Sequence, residues 1–303
     1  DVSETYHISF PAGLFTNNTA ETSSAAISWT FNTQPADFRL FATGYNEKGN
    51  AGQGSDSVDA YSSPVQIPGV TWKDVGTQND NEKGVLAVKT DGTLWGWGEN
   101  TSGELGQNNR TDYSSPRQVG SDTTWNNVGG NSSGYHITKT DGTLWALGKN
   151  GSGAFGSNQS EGTLASVSSP IQIPGTTWSD VDGGDEFGIA VKTDGTLWTW
   201  GNNNNGQLGQ NNEIKYSSPV QVPGTTWRRP STFDVHVVVS KTDGTLWAWG
   251  DNVEGGLGQN NTVQYSSPVQ IPGTTWANAV AGDDNGGGVK TDGTMWTWGT
   301  NNY

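Results

Sequence analysis

Lys192-Thr193-Asp194-Gly195-Thr196-Leu197-Trp198-Thr199-Trp200-Gly201 recurs, nearly unchanged, from Lys89, Lys139, Lys241 and Lys290. Thr-Asp-Gly-Thr reads as a two-residue hairpin. A type I′ turn needs positive φ at both central residues, which Asp tolerates and Gly adopts freely. Thr and Trp suit a pleated, half-buried surface. The two-residue period of a strand puts Trp198 and Trp200 on one face and Leu197 and Thr199 on the other. Both faces therefore carry packable groups, as in a sheet held between two others. Frequent glycine and the lack of a 3.6-residue period argue against a helix.

The glycine that ends this hairpin recurs at Gly44, Gly98, Gly148, Gly201, Gly250 and Gly299, at spacings of 54, 50, 53, 49 and 49 residues. A fixed period near fifty indicates a propeller or an array. Each unit keeps one internal order. A Gly/Asn loop such as Asn205–Gln210 comes first, then an edge-like strand, Tyr216-Ser217-Ser218-Pro219-Val220-Gln221-Val222-Pro223-Gly224. Proline fits an edge because it has no N–H to give to a ladder. Thr225-Thr226-Trp227 opens a further strand, and the hairpin completes a unit of about four strands. Fourteen of the 15 tryptophans fall at three unit positions, and Leu147 replaces the third of these once.

The order Trp-Gly-x-Asn-x-x-Gly-x-Leu-Gly, then Ser-Pro-x-x-Val/Ile, then a Gly-rich strand and a Thr-x-Asp-Gly turn resembles the regulator-of-chromosome-condensation repeat over roughly residues 39–303. The resemblance is strongest to versions in phage and bacterial surface proteins. It implies an all-β, β-propeller fold of four-stranded blades. Six hairpins favour six blades, and the family's usual seven is the alternative. That family includes a nucleotide exchange factor for a small GTPase that docks on chromatin. No exchange residue can be matched one by one, and fold alone does not give function.

Residues 1–38 form a divergent N-terminal segment expected to belong to the first or closing blade of the same domain. His7–Gly13 stands where later units have Trp276–Gly282, and Ala26–Phe31 stands for the incoming strand. Thr33–Asp37 replaces the tight turn, and Arg39–Gly44 replaces Leu-Trp-x-Trp-Gly. After Trp298-Gly299 no Ser-Ser-Pro strand follows before Tyr303, which leaves a strand edge that needs a partner.

The chain has 30 acidic and 15 basic residues, a net charge of −15. Such a surface repels phosphate backbones, so nucleic-acid partners are not expected. Hydrophobic content of 31% would suit disorder, but 44 glycines and 15 tryptophans suit short strands packed by large rings. With no cysteine, disulfides and thiolate metal sites are excluded. No apolar run is long enough to span a membrane as a helix, so no membrane insertion is expected.

Candidate chemistry is sparse. His7, His136 and His236 each stand alone, and the serines lie mostly in the repeated Ser-Ser-Pro strand or in loops, so no catalytic triad is visible. The acidic groups Asp182/Asp185/Glu186, Asp283/Asp284 and Asn79–Glu82 could offer oxygen ligands to calcium, but none repeats or fits a twelve-residue calcium loop. Seven Asn-x-Ser/Thr sequons, among them Asn17, Asn100, Asn131 and Asn150, are the kind an Asn- and Ser-rich chain produces by chance. Neither an enzyme nor a cofactor is expected. Lys89, Lys139, Lys192, Lys241 and Lys290 form a candidate partner-contact rim. The expected role is structural or adhesive, on a virion or cell surface and extracellular. Its partners would be other structural proteins or copies of the chain, with a host receptor or glycan also in view. A soluble propeller binding a peptide, protein or glycan is the alternative. Packing maintains internal symmetry and a binding site breaks it. The places to look are therefore residues 1–38, Leu147, the stretch from Glu161 to Ser169, Arg228-Arg229-Pro230, and the chain's last residues.

Overall fold

The computed structural model describes residues 5–10, 27–32, 38–78, 83–132, 134–159, 164–282 and 284–300. The chain forms two compact units, Asp1–Phe38 and Arg39–Tyr303. In the first, β1 (Thr5–Phe10) pairs antiparallel with β2 (Ile27–Asn32), with Ile8 opposite Trp29. The expected turn at Thr33–Asp37 lies outside the described residues.

The second unit is an all-β propeller of six successive antiparallel sheets. The first holds β3 (Phe41–Tyr45) and β4 (Ala60–Gln66). Four full blades follow. They comprise β5 (Trp72–Thr77), β6 (Gly84–Lys89), β7 (Leu94–Gly98) and β8 (Tyr113–Gln118); then β9 (Trp125–Gly130), β10 (Gly134–Lys139), β11 (Leu144–Lys149) and β12 (Ser166–Ile173); then β13 (Trp178–Gly184), β14 (Phe187–Lys192), β15 (Leu197–Gly201) and β16 (Tyr216–Val222); then β17 (Trp227–Phe233), β18 (His236–Lys241), β19 (Thr245–Gly250) and β20 (Tyr265–Thr274). The last sheet has three strands, β21 (Trp276–Ala281), β22 (Asn285–Lys290) and β23 (Met295–Gly299). The Ser-Ser-Pro strand is the outer strand of each full blade, as its proline requires. First strands of successive blades lie side by side from β5 to β21 and so line the axis.

The turn differs from the sequence expectation. Lys192 N–H donates to Thr196 O and Gly195 N–H to Lys192 O, which closes a three-residue loop. Only Gly195 takes positive φ, at 78°, while Asp194 does not. Asp194 instead turns its carboxylate back, and Oδ1 accepts from Thr196 N at 2.9 Å and from Thr196 Oγ1 at 2.7 Å. This side-chain cap holds the turn without forcing aspartate into a left-handed conformation. Trp198 Nε1 donates to the same Thr196 hydroxyl at 3.0 Å. One Asp-Gly-Thr-x-Trp string is thus a single hydrogen-bonded relay, repeated at all five turns.

The core lies between blades. One cluster joins Phe187, Ile189 and Leu197 of one blade to Trp227, Val237 and Trp249 of the next. The third tryptophan of each unit makes the directed contact across that seam. Trp200 Nε1 donates to Ala154 O at 2.8 Å, Trp249 Nε1 to Gln207 O at 2.9 Å and Trp97 Nε1 to Asn50 O at 2.9 Å, each acceptor in the preceding blade's loop. A buried asparagine shapes that loop. Asn203 Nδ2 donates to Asn212 O and Ile214 O, and Oδ1 accepts from Leu208 N.

Leu147 breaks the pattern, and the opposite strand compensates. The residue facing the third tryptophan is small, Val85, Gly188, Val237 or Gly286. A Cβ on Gly188 would lie 2.5 Å from the Trp200 ring. Facing Leu147 is Tyr135, wholly buried. The bulk has moved from one strand to its neighbour, which conserves volume.

Leu147→Trp alone should therefore overpack the seam and cost about 2 kcal/mol. Tyr135→Gly alone should leave a cavity and cost about 3 kcal/mol or more. The double variant should recover part of both losses in a chemical-denaturation cycle, and simple additivity would contradict the exchange of volume.

Candidate binding site

The five turn lysines do not form a free rim. Each ends the second strand of its blade and lies half-buried over two indole rings. Lys192 Nζ sits 4.6 Å from the centroid of Trp178 and 4.5 Å from that of Trp198. The other four repeat the arrangement, at 4.1 to 4.9 Å. The two rings meet edge to face, 6.3 Å apart for Trp178 and Trp198. Lys139 also pairs with Asp122 at 2.6 Å, which draws the Asp122 carboxyl down to about 2. Burial lowers the Lys241 ammonium. Sequence reading missed this use of the lysines because Trp178 and Lys192 are fourteen residues apart and meet only through strand pairing.

The other candidates also fall to structural roles or stay apart. His136 is wholly buried, its Nε2 is 2.7 Å from Ala154 O, and burial lowers the imidazole to about 4. His236 is buried in another blade, and the His7 side chain lies outside the described residues. Asn100 and Asn150 are fully buried and donate their amide hydrogens to loop carbonyls, so they present no acceptor for a glycan. Asp182 does not converge with Glu186. Glu186 accepts from Ser152 Oγ at 2.7 Å and faces Lys149 at 3.9 Å. Asn79–Glu82, Glu161, Asp283 and Asn17 lie outside the described residues. Among the described residues no group of three or more His, Asp or Glu is arranged to hold a metal, and no helix is long and apolar enough to cross a membrane.

What the sequence did not assemble is the end of the axial channel. A cavity of about 210 Å³ lies between Val75–Gln78, Val128–Gly130, Asp182–Gly183 and Thr232–Phe233. These are the C-terminal ends of β5, β9, β13 and β17. Carboxylates tie the same strands together. Asp74 Oδ2 accepts from Val128 N at 2.8 Å, Asp180 Oδ1 from Asn127 Nδ2 at 3.3 Å, and Asp182 Oδ2 from Thr232 N at 2.8 Å.

Burial raises all three carboxyls. Lys73 offsets this at Asp74 and Arg229 at Asp180. Asp182 has no such cation. It retains some accessible area on the cavity side but sits deep in protein, with Asp180 nearby, and desolvation pushes it up to about 7. The signal was present in the copies: four residues after the first tryptophan stand Gly76, Gly129, Asp182, Ser231 and Val280, a different side chain in almost every blade.

Residues 91–138, 194–233 and 243–285 match the regulator of chromosome condensation (RCC1) repeat, and residues 178–207 match a second form of it. These stretches of the chain therefore resemble regulator of chromosome condensation repeats. Human E3 ubiquitin-protein ligase HERC2 is 28% identical over 179 residues, which is 58% of this chain and 4% of that protein, and the mouse protein matches equally. Among solved structures, human WBSCR16 superposes with a TM-score of 0.73 at 18% identity, over 88% of this chain and 74% of that one. Prp20p from Saccharomyces cerevisiae gives a TM-score of 0.73 at 18% identity, over 89% and 69% of the two chains. These superpositions agree on the propeller fold.

Replacing one stacked cation should cost modestly. Lys192→Met should destabilise by about 1 kcal/mol, and Lys192→Arg should retain most of that, as read from urea midpoints. The channel carboxyl gives a pH signature. A carboxyl raised in the folded state stabilises most below its unfolded value near 3.8, and that contribution is lost as pH rises through about 7. Asp182→Asn should therefore gain stability relative to the parent between pH 4 and 8, by up to about 4 kcal/mol, and the two should converge in acid. Parallel curves across that range would contradict the assignment.

Proposed function

We propose that the chain is a non-catalytic binding propeller that engages a protein partner at the channel end formed by β5, β9, β13 and β17. The observation that carries this reading is the break in repeat symmetry at that end. Elsewhere the recurring Asp, Thr, Lys, Trp and Asn side chains are spent on turns, ring stacks and loops. At the channel end the position held by Asp182 is glycine in two blades and a different side chain in each of the others, around an open cavity. Support comes from proteins of the same fold. The Prp20p structure is described together with that protein's binding to Gsp1p and histones. A further structure, with a TM-score of 0.60 at 14% identity over 87% and 79% of the two chains, is of Kap60 bound to yeast Prp20.

A narrower reading makes this a structural or adhesive module of a virion or cell surface that pairs with copies of itself. The edge of β23 favours it. No strand pairs with its outer side among the described residues. Met295 is 74% exposed, whereas Leu94, Leu144, Leu197 and Leu246 at the same unit position are wholly buried. An open edge with an apolar face is suited to strand pairing between molecules.

Hydrogen exchange on the complex with a partner recovered by cross-linking should show new protection at residues 76–78, 129–130 and 232–233. Protection confined to other segments would overturn the channel-end reading. For the narrower reading, sedimentation should show concentration-dependent dimers that Met295→Glu disperses, and a strictly monomeric parent would overturn it.

A further inference from the structure

We infer that the channel cavity takes one basic side chain, a lysine ammonium or an arginine guanidinium offered by the protein partner, with Asp182 as its counter-ion. This rests on the protein-binding reading and gives it a chemistry.

Three observations point to a cation. The cavity of about 210 Å³ is walled by Val75, Val128 and Phe233, which suit an aliphatic or planar stem, and carries the Asp182 carboxyl. Among the described residues that carboxyl makes no ion pair and no cation offsets its burial, while its two counterparts on the first strands each have one that does. Independently, the Thr232 hydroxyl lines the same cavity on a residue only 7% exposed and makes no hydrogen bond of acceptable geometry, although it lies near enough to Asp182 to favour the ionised carboxyl.

A buried polar group left unpaired costs free energy. A cation placed beside Asp182 meets a carboxylate in a medium where attraction is much stronger than in water. The net charge of −15 steers basic segments toward the chain over longer distances.

The site is also gated by protons. The charged group acting on Asp182 is Asp180 on its own strand; Arg229 on β17 and Asp74 on β5 act on Asp180 instead, and β9 contributes Asn127 and no ionisable side chain. A cation is bound by the ionised carboxyl, so occupancy rises as Asp182 loses its proton.

The test uses three small probes on the whole chain: Nα-acetyl-lysine methylamide, its arginine analogue and the uncharged norleucine analogue. Carbon-detected NMR of the aspartate carboxyls follows Asp182 directly. Both basic probes should lower its midpoint by about one unit or more at saturation and bind more tightly at pH 8 than at pH 6. Norleucine should do neither. Asp182→Asn should weaken the basic probes at least tenfold, and Thr232→Val, which keeps the backbone donor, should weaken them several-fold. Equal binding by norleucine, an unmoved Asp182 midpoint, or full affinity in Asp182→Asn would each overturn the cation site. Such a failure would leave the protein-binding reading to the hydrogen-exchange experiment, which does not depend on these probes.

Discussion

The indole N–H that four blades deliver into their predecessor's loop is the interaction on which the propeller depends. Sheets of this kind have no strong interior of their own. Their faces become a core only when a neighbour covers them, and the clusters accordingly straddle the seams. Hydrophobic contact alone would let blades slide or rotate. A buried donor such as Trp200 Nε1 must find its acceptor, and Ala154 O is fixed by the Asn150-organised loop. The bond therefore converts a non-directional contact into a set distance and angle between blades. The same carbonyl lies 2.7 Å from Nε2 of His136, which belongs to the same blade as Ala154, so two ring nitrogens meet at that loop. The imidazole stands edge-on to Trp200, with centroids 5.3 Å apart.

The repeated parts of this architecture were legible in the sequence because each is local. A turn, a strand's alternation and a proline on an edge all act within a few residues, and five copies made their period unmistakable. The conformation of the turn itself was misread. Asp-Gly satisfies a type I′ turn, but Thr196 gives the aspartate a better use, as an acceptor for two donors. That competition is between two hydrogen-bonding schemes for the same dipeptide, and only the following threonine tips it.

The lysines show a different limit. From sequence they are five charges beside five turns, and a charged rim is the natural inference. The structure stacks them on tryptophans contributed by two strands, one of them before the second strand and one after it. No local pattern distinguishes a solvated lysine from a stacked one, since the choice depends on pairing register. The exchange between Leu147 and Tyr135 was hidden for the same reason. Leu147 was visible as a break, but the matching change at Tyr135 has meaning only once the two residues are known to face each other.

Asp182 marks where repetition stops explaining the chain. Asp74 and Asp180 have a basic residue close by in their own or the adjoining blade, and their carboxylates serve as staples between first strands. Asp182 makes the same kind of backbone staple to Thr232 without compensation for its charge. A neutral acceptor at this position would make that bond without the desolvation penalty, and Ser231 of the next blade illustrates one, its Oγ accepting from Ala281 N at 3.0 Å. A carboxyl kept where a hydroxyl would serve is a cost to the folded chain alone, and a positive group entering the cavity removes it. The stability lost at Asp182 in the free protein and the affinity gained with a cation are thus two readings of one electrostatic quantity.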